Sequence, residues 1–187
     1  MADDTRLLAA LAVIQARGAI GERSLIAAVE HADRFVGLVP EGARSMVDLG
    51  SGGGLPALVI AWRRADLRVT MVERRATRAD LLRRAVISLE LGARVEVLDV
   101  DVAEVCSNSP RAFDLATARS FADVATTTGF IDRLLATEGI ALVSEPPTDR
   151  SPQWASVLAN HPGLVDTGIY QGIRRLARLG SASARFT

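Results

Sequence analysis

The fold is decided by the stretch Val47-Asp48-Leu49-Gly50-Ser51-Gly52-Gly53-Gly54-Leu55-Pro56. An apolar run breaks into a glycine cluster and resumes as a helix-like pattern, which predicts a strand, a tight loop and the start of a helix. Glycines at positions 50, 52 and 54 allow positive φ and close approach to a ligand, and the first turn of a helix offers N–H groups without an intrahelical partner. The stretch therefore predicts a loop that holds a nucleotide-like ligand.

An acidic residue, Glu73, ends the next strand-like run some 25 residues after Asp48. At that spacing a carboxylate can accept hydrogen bonds from both hydroxyls of a ribose. The Asp48 carboxylate would repel a pyrophosphate, and the glycine spacing does not match G-x-G-x-x-G strictly. S-adenosylmethionine, which carries an ammonium, a sulfonium and a ribose diol, is therefore predicted as the cofactor in preference to NAD. The alternative is a tight turn whose glycines serve only the packing of strand against helix.

Length and composition predict a single soluble domain. The 187 residues, 49% of them hydrophobic, suffice for one packed core, so one domain is expected over residues 1–187, with residues 1–40 as an N-terminal helical part. No apolar run approaches the ~20 residues that span a bilayer, and the acidic start at residues 1–4 is unlike a signal peptide, so a cytoplasmic location without a membrane partner is expected. One cysteine, Cys106, excludes an internal disulfide, and with two histidines it predicts no metal cluster.

The basic residues are concentrated in one part of the chain. All 22 are arginine, and they balance 22 acidic residues, which argues against a strongly basic nucleic-acid binder. Eight of them nevertheless fall within Arg63–Arg84, against three acidic residues, so this segment carries a local charge of plus five. Two interpretations stay open, an RNA-facing patch or solvated helix faces.

Strand-like and helix-like patterns alternate from residue 44 onward. Two helices are predicted first, at 5–16 and, behind a Ser24 cap, up to about residue 36. Strands are then expected at 44–49, 67–73, 93–98, 113–118 and 139–144, and helices at 56–64, 78–91, 121–136 and 152–160, with Gly92 at the end of the helix at 78–91. Strands at 164–170 and 173–179 around Gln171-Gly172 predict an antiparallel hairpin. The pattern predicts a doubly wound α/β sheet of about seven strands with N-terminal helices.

Three segments are specific enough to indicate a family: Asp48–Pro56, Val72–Arg75 with the following Arg78–Leu91, and Thr117–Phe121. They resemble the GidB-type (RsmG-type) rRNA methyltransferases, which place a methyl group on N7 of a guanine in 16S rRNA. The resemblance covers about residues 44–143. It implies the Rossmann-like fold of class I S-adenosylmethionine-dependent methyltransferases (EC 2.1.1), a role in rRNA processing, and 16S rRNA or the small ribosomal subunit as the partner.

The resemblance also implies which residues form the site. The loop would hold the methionine end of the cofactor, Glu73 its ribose and Asp101 to Ala103 its adenine. Arg119, just beyond the fourth strand, would order the methionine carboxylate or a substrate phosphate and is the candidate positioning residue. Guanine N7 has a free lone pair, so its attack needs no general base. The implied cofactor-binding residues are Asp48, Gly50, Ser51, Gly52, Gly54, Leu55, Glu73, Asp101, Val102, Ala103 and Arg119.

Departures from the family pattern keep the acceptor open. The family's fifth strand tends to end in Lys-Gly, whereas this chain has Ser144-Glu145, so an anion replaces a cation. His31 either packs in a helix or echoes a histidine of the family. Three functions are therefore considered: a GidB-type rRNA methyltransferase, a class I methyltransferase with a small-molecule or protein substrate, and a non-catalytic cofactor-binding protein of the same fold.

Overall fold

The computed structural model describes residues 4–22 and 24–180, which form a seven-stranded sheet flanked by helices. The helices are α1 (Thr5–Ala16), α2 (Leu25–Val36), α3 (Ala57–Arg63), α4 (Ala76–Ser88), α5 (Val102–Asn108), α6 (Val124–Leu134) and α7 (Ser151–Leu158). The strands are β1 (Ser45–Leu49), β2 (Arg68–Val72), β3 (Val95–Leu98), β4 (Phe113–Ala118), β5 (Leu135–Ser144), β6 (Leu164–Tyr170) and β7 (Ile173–Arg178). The predicted single domain includes residues 1–3, 23 and 181–187, and the acidic start includes residues 1–3, all of which lie outside the described residues.

The strand order is β3-β2-β1-β4-β5-β7-β6. Strands β1 to β5 pair in parallel, and β7 is antiparallel to both β5 and β6. The predicted doubly wound sheet and its C-terminal hairpin are therefore confirmed. The order reverses between β1 and β4, and in open α/β sheets ligands bind beyond the carboxyl ends of the strands at such a switch point.

Helices cover both faces of the sheet. Successive residues of its central strands are therefore buried alternately in one core and in the other. Met46 of β1 packs into a core shared with α1 to α4, and its neighbour Val47 packs into a second core shared with α5 to α7. In β5, Leu142 faces the first core and Ala141 faces the second. Strands that are apolar on both faces are typical of parallel sheets, so the near-continuous apolar runs of the sequence are explained.

One helix was missed, and the predicted bounds of several other elements differ from those of the structure. Helix α5 was not predicted at all, and β5 begins at Leu135 rather than at residue 139. Helix α4 spans Ala76–Ser88 instead of 78–91, and the chain turns through a positive φ of 58° at Glu90, so Gly92 does not end this helix.

The N-terminal helices are held against α3 by ion pairs, and the segment between them makes a close backbone contact with the glycine loop. Arg63 at the end of α3 pairs with Asp4 and, at 3.0 Å, with Asp33 of α2. Between the two helices, residues 17–22 lie against the glycine loop, where a Cβ on Gly53 would approach Ile20 Cγ1 to 2.4 Å and the Ala19 carbonyl oxygen to 2.6 Å. The N-terminal helical part therefore forms one wall of the loop.

Among residues 4–22 and 24–180, no helix has the length and apolar character that a membrane crossing requires.

Replacing Gly53 with Ala is expected to destabilise the fold by about 1–3 kcal/mol, because the methyl group would overlap a backbone carbonyl that cannot rotate away. Thermal unfolding measures the loss. Gly92→Ala is the matched control, since a Cβ there meets nothing within 4 Å. Equal melting temperatures for the two variants would contradict the contact.

Candidate active site

Four segments converge at the carboxyl edge of the sheet. They are the glycine loop after β1, Glu73 after β2, Arg119 after β4 and Ser144-Glu145 at the end of β5. Since β1 to β5 are parallel, their carboxyl ends share this edge, and it lies at the switch point between β1 and β4.

The glycine loop has the conformation that the sequence predicts. Gly50, Gly52 and Gly54 have φ values of 65°, 54° and 87°, a region that other residues rarely adopt. Close packing adds a second requirement at Gly50, because a Cβ there would lie 2.5 Å from Cδ2 of Phe121. The Ser51 N–H donates to the Val72 carbonyl oxygen at 2.8 Å, which ties the loop to β2.

The Glu73 side chain is the main support of this loop. It is 5% exposed, and its Oε2 accepts a hydrogen bond from the Gly52 N–H at 2.9 Å while its Oε1 accepts one from the Arg75 N–H, also at 2.9 Å. Each carboxylate oxygen can accept more than one hydrogen bond, so acceptor sites remain for a ligand beside the loop.

Asp48 lies beneath the loop and is only 1% exposed. Its Oδ1 accepts a hydrogen bond from Thr117 Oγ1 at 2.6 Å, and its Oδ2 is buried without a hydrogen-bond partner among the described residues. Burial raises the pKa of Asp48 above its ordinary value, although the nearby hydroxyl groups of Thr117 and Ser51 and the charge of Arg119 act in the opposite direction. A buried carboxylate with a bare oxygen is costly and is typical of a functional site.

Two cavities flank the loop. The larger, of about 460 Å³, is lined by Gly50, Glu73, Asp101 and Val102 together with the rings of Phe121 and Phe130, whose centroids are 5.9 Å apart. The smaller, of about 200 Å³, is lined by residues 19–21, the loop and Arg119, and includes the predicted residues Gly50, Ser51, Gly52 and Leu55. Arg78 lines both cavities. No group of three or more His, Cys, Asp or Glu side chains within the described ranges could hold a metal ion.

The structure does not bring every predicted residue to these cavities. Asp48 lies beneath the loop, and Gly54 packs inward, where a Cβ would be 2.5 Å from Leu58 Cδ1. Ala103 donates its N–H to Asp101 Oδ1 at 2.9 Å, so these two residues form the cap of α5. Asp101 therefore has a local structural role in addition to lining the larger cavity, and the assignment of these residues to a cofactor stays a prediction.

A third cavity of about 430 Å³ adjoins the other two. Its walls come from the segment after β4, from the end of β5 and the loop that follows it, and from α2, α6 and the start of α7. The titratable side chains that line it are His31, Arg119, Glu145 and Arg150. His31 lies with Nε2 3.5 Å from Ser144 Oγ and its ring edge-on to Phe35. This histidine thus both packs in its helix and faces a cavity.

Glu145 is buried in an ion-pair network. Its side chain is 5% exposed, with Oε2 at 3.0 Å from Arg150 Nε and Oε1 at 3.1 Å from Arg174 Nε. Arg174 also pairs with Asp166 and lies 5.3 Å above the Trp154 ring. Two arginines and two acidic residues balance here, so Glu145 does not present a free anion to the cavity.

The arginine-rich segment contains two groups that bear on the site, while Arg68 and Arg84 are exposed and belong to neither. Arg63, Arg64 and Arg83 form ion pairs with neighbouring aspartates. Arg74 and Arg75 are exposed at the start of α4 and, with Arg78, line the larger cavity without an ion pair to any described residue. The structure does not test which interpretation holds for Arg74, Arg75 and Arg78, so an RNA-facing patch there stays a prediction. Sequence reasoning did not name Phe130, Arg150 and Trp154, which line these cavities, and it named Arg78 only within the basic segment and the family-like segment Arg78–Leu91.

Solved structures identify the class of this fold. A putative O-methyltransferase from Klebsiella pneumoniae superposes with a TM-score of 0.72 at 16% identity, over 97% of this chain and 92% of that one. The cofactor-bound Rv0187 from MTB superposes with a TM-score of 0.67 at 22% identity, over 95% and 90% of the two chains. The fold is that of the class I S-adenosylmethionine-dependent methyltransferases.

Sequence comparison identifies the family. The GidB model, described as rRNA small subunit methyltransferase G, matches residues 11–146. A ribosomal RNA small subunit methyltransferase G from Acidiphilium cryptum is 39% identical over 152 residues, which cover 78% of this chain and 67% of the relative. The chain belongs to the GidB family of methyltransferases. It spans only 36% to 63% of the length of seven further relatives with that name.

Replacing Asp48 with Asn is expected to stabilise the fold at neutral and alkaline pH. Because burial raises the pKa of Asp48, the unfolded chain ionises first as pH rises, and the free energy of unfolding falls between the two pKa values. Asn does not ionise and keeps an acceptor for Thr117. The variant should melt about 2–4 °C higher for each kcal/mol relieved, and the gain should shrink toward acid pH, as calorimetry from about pH 4 to pH 8 would measure.

Asp114→Asn is the control with the opposite sign. Asp114, at the other end of the sheet, accepts three hydrogen bonds at 2.9 Å from the Arg44 N–H, the Ser45 N–H and Ser45 Oγ. Burial opposes its ionisation, but these bonds outweigh it and hold the pKa of Asp114 below its ordinary value. This variant should lose stability at neutral pH and approach the parent as pH falls through that lowered pKa. A loss in both variants at pH 8 would contradict the account of Asp48.

Proposed function

We propose that this protein uses S-adenosylmethionine to methylate N7 of a guanine in 16S rRNA, and that it acts on the small ribosomal subunit. The observation that carries the proposal is the position of the segment 119–122. Residues of this segment line all three cavities, with Arg119 between the smaller loop cavity and the third cavity. Transfer of a group between two ligands requires their sites to adjoin, and these do.

The residues at the loop fit the proposed cofactor. Glu73 lines the larger cavity with spare acceptor sites for ribose hydroxyls, and the rings of Phe121 and Phe130 offer an apolar wall suited to an adenine. The glycines let backbone N–H groups approach the ligand without Cβ obstruction. The carboxylate of Asp48, with its unpartnered oxygen, supplies negative charge beneath the loop, which favours a cationic ligand over a pyrophosphate.

Catalysis by these residues would consist mainly of positioning. When bound, S-adenosylmethionine supplies an electrophilic methyl group on a sulfonium. Arg119 would orient the carboxylate of the cofactor or a phosphate of the acceptor, and the surrounding segment would hold the acceptor base against the loop. The third cavity offers no uncommitted carboxylate among the described residues, because both oxygens of Glu145 are taken by arginines. Guanine N7 has a free lone pair and needs no such base.

An RNA acceptor agrees with the charges around the site. Arg74, Arg75 and Arg78 provide unneutralised guanidinium groups beside the cofactor cavity, and guanidinium groups bind phosphates well. The replacement of the family's cation by Glu145 favoured another substrate on sequence grounds. Its neutralisation by Arg150 and Arg174 removes that argument.

The direct test has two steps. Calorimetric titration is expected to give micromolar binding of S-adenosylmethionine and none of NAD. Labelled methyl groups should then pass to 30S subunits that lack the modification, and nuclease digestion should release 7-methylguanosine. Cofactor binding without transfer to 30S subunits would reject the rRNA proposal and favour another acceptor, and binding of neither cofactor would favour a non-catalytic protein.

Replacing Glu73 with Ala is expected to weaken cofactor binding by more than tenfold, or about 1.4 kcal/mol, because the ribose acceptor and the support of Gly52 are both lost. Titration calorimetry measures the change. Glu96→Ala, which removes an exposed carboxylate from β3, should leave the affinity unchanged. An unchanged affinity in the Glu73 variant would reject the ribose assignment.

A further inference from the structure

The third cavity has a cation that the sequence pattern did not reveal. At the end of β5 the family tends to have a lysine, where this chain has Glu145. In the structure Arg150 lines the same cavity as Glu145. The Arg150 Nε lies 3.0 Å from Glu145 Oε2, so the two side chains form an ion pair at the cavity wall. From this arrangement we infer that Arg150 is the residue that binds a phosphate of the RNA acceptor, and that Glu145 is the residue that positions it.

The first argument is that the two arginines paired with Glu145 differ in exposure and in the number of hydrogen bonds they make. Arg174 is 3% exposed, and its guanidinium bonds with Glu145, Asp166 and Ser151 while it stacks on Trp154. All its nitrogens are thus occupied in holding β7 to β6, to the start of α7 and to the loop after β5. Arg150 is 23% exposed and lines the cavity, so it is the member of the pair that a ligand can reach.

The second argument is the donor capacity that Arg150 retains. Its Nε donates to Glu145, and its Nη2 lies 3.5 Å from the Ser144 carbonyl oxygen, a long contact. Its Nη1 makes no hydrogen bond with any described residue. A guanidinium held at one edge keeps the other donors in a fixed fork, which is the geometry that a phosphate accepts.

The third argument is the unfavourable position of this cation in its own helix. Arg150 is the N-cap residue of α7 and makes no side-chain cap. A positive charge at a helix N-terminus opposes the helix dipole, and the bond to the Ser151 N–H comes from Asp149 Oδ1 at 2.9 Å instead of from the N-cap residue. Glu145 offsets this charge. A locally unfavourable residue held in place by a buried partner indicates a role beyond stability.

The charge of the cavity agrees with an anionic ligand. Glu145 and Asp166 balance Arg150 and Arg174, so this network is not negative, and Nη1 of Arg150, which makes no hydrogen bond with a described residue, remains available to an anion. The inference rests on the proposed function, because the anion in question is a phosphate beside the methylated guanine.

The test compares Arg150→Gln with Arg68→Gln, which removes an exposed arginine from the start of β2, at the opposite edge of the sheet. Methyl transfer to unmodified 30S subunits is measured for both and for the parent protein. Arg150→Gln should raise KM for 30S subunits about 5- to 10-fold, while Arg68→Gln stays within about twofold of the parent. The dependence of log K on log salt for binding to 16S rRNA should lose about one unit of slope in the Arg150 variant alone.

Two controls separate positioning from folding. A modest fall in melting temperature is expected in Arg150→Gln, because the buried Glu145 Oε2 loses its guanidinium partner, but the calorimetric affinity for S-adenosylmethionine should be the same as in the parent. Normal KM and salt slope in this variant, with transfer intact in the parent, would overturn the assignment of Arg150 alone. A lowered melting temperature with unchanged KM would mark Arg150 as structural and equally overturn it. Absence of transfer by the parent would overturn the proposed function and this inference together.

Discussion

The arrangement of the site depends on one carboxylate, that of Glu73. It accepts the N–H of Gly52 in the loop after β1 and the N–H of Arg75 before α4, so it fixes two segments that border the two cavities beside the loop. Backbone N–H groups inside a protein need acceptors, and here a charged side chain provides both. The smaller cavity is lined by Gly52 and the larger by Glu73 itself, so the geometry of both follows from this side chain.

Asp48, at the carboxyl edge of the sheet, lowers the stability of the fold. A carboxylate that is 1% exposed, with one oxygen bonded to Thr117 and the other unpartnered, costs free energy that an apolar residue in β1 would not. The apolar residues around it, such as Leu49 and Met46, already satisfy both cores of the sheet. The fold does not require a charge in this position, whereas the cationic ligand proposed for the loop would explain it.

Much of the fold could be predicted because local pattern and final structure agree. Apolar runs of four to six residues became β1, β2 and β4, and the glycines of the loop adopted the positive φ that their type suggests. Helix α5 escaped prediction because seven residues carry too little periodicity, although Asp101 followed by Glu104 is a capping pattern that could have marked its start. Arg150 could not be predicted, because its contact with Glu145 depends on how the loop after β5 folds back.

Net charge argued against a strongly basic nucleic-acid binder, but the structure shows that the total hides an uneven distribution of charge. The formal net charge of the chain is zero, but its acidic side chains are not spread evenly over the surface. Aspartates neutralise the arginines that fasten α3 and α4, such as Arg63 and Arg83, away from the cavities. Among the described residues, the arginines at the start of α4 that have no ion pair line the larger of the two cavities beside the loop. A neutral chain thus presents a positive edge, and what a polyanion such as RNA meets is this local field and not the sum.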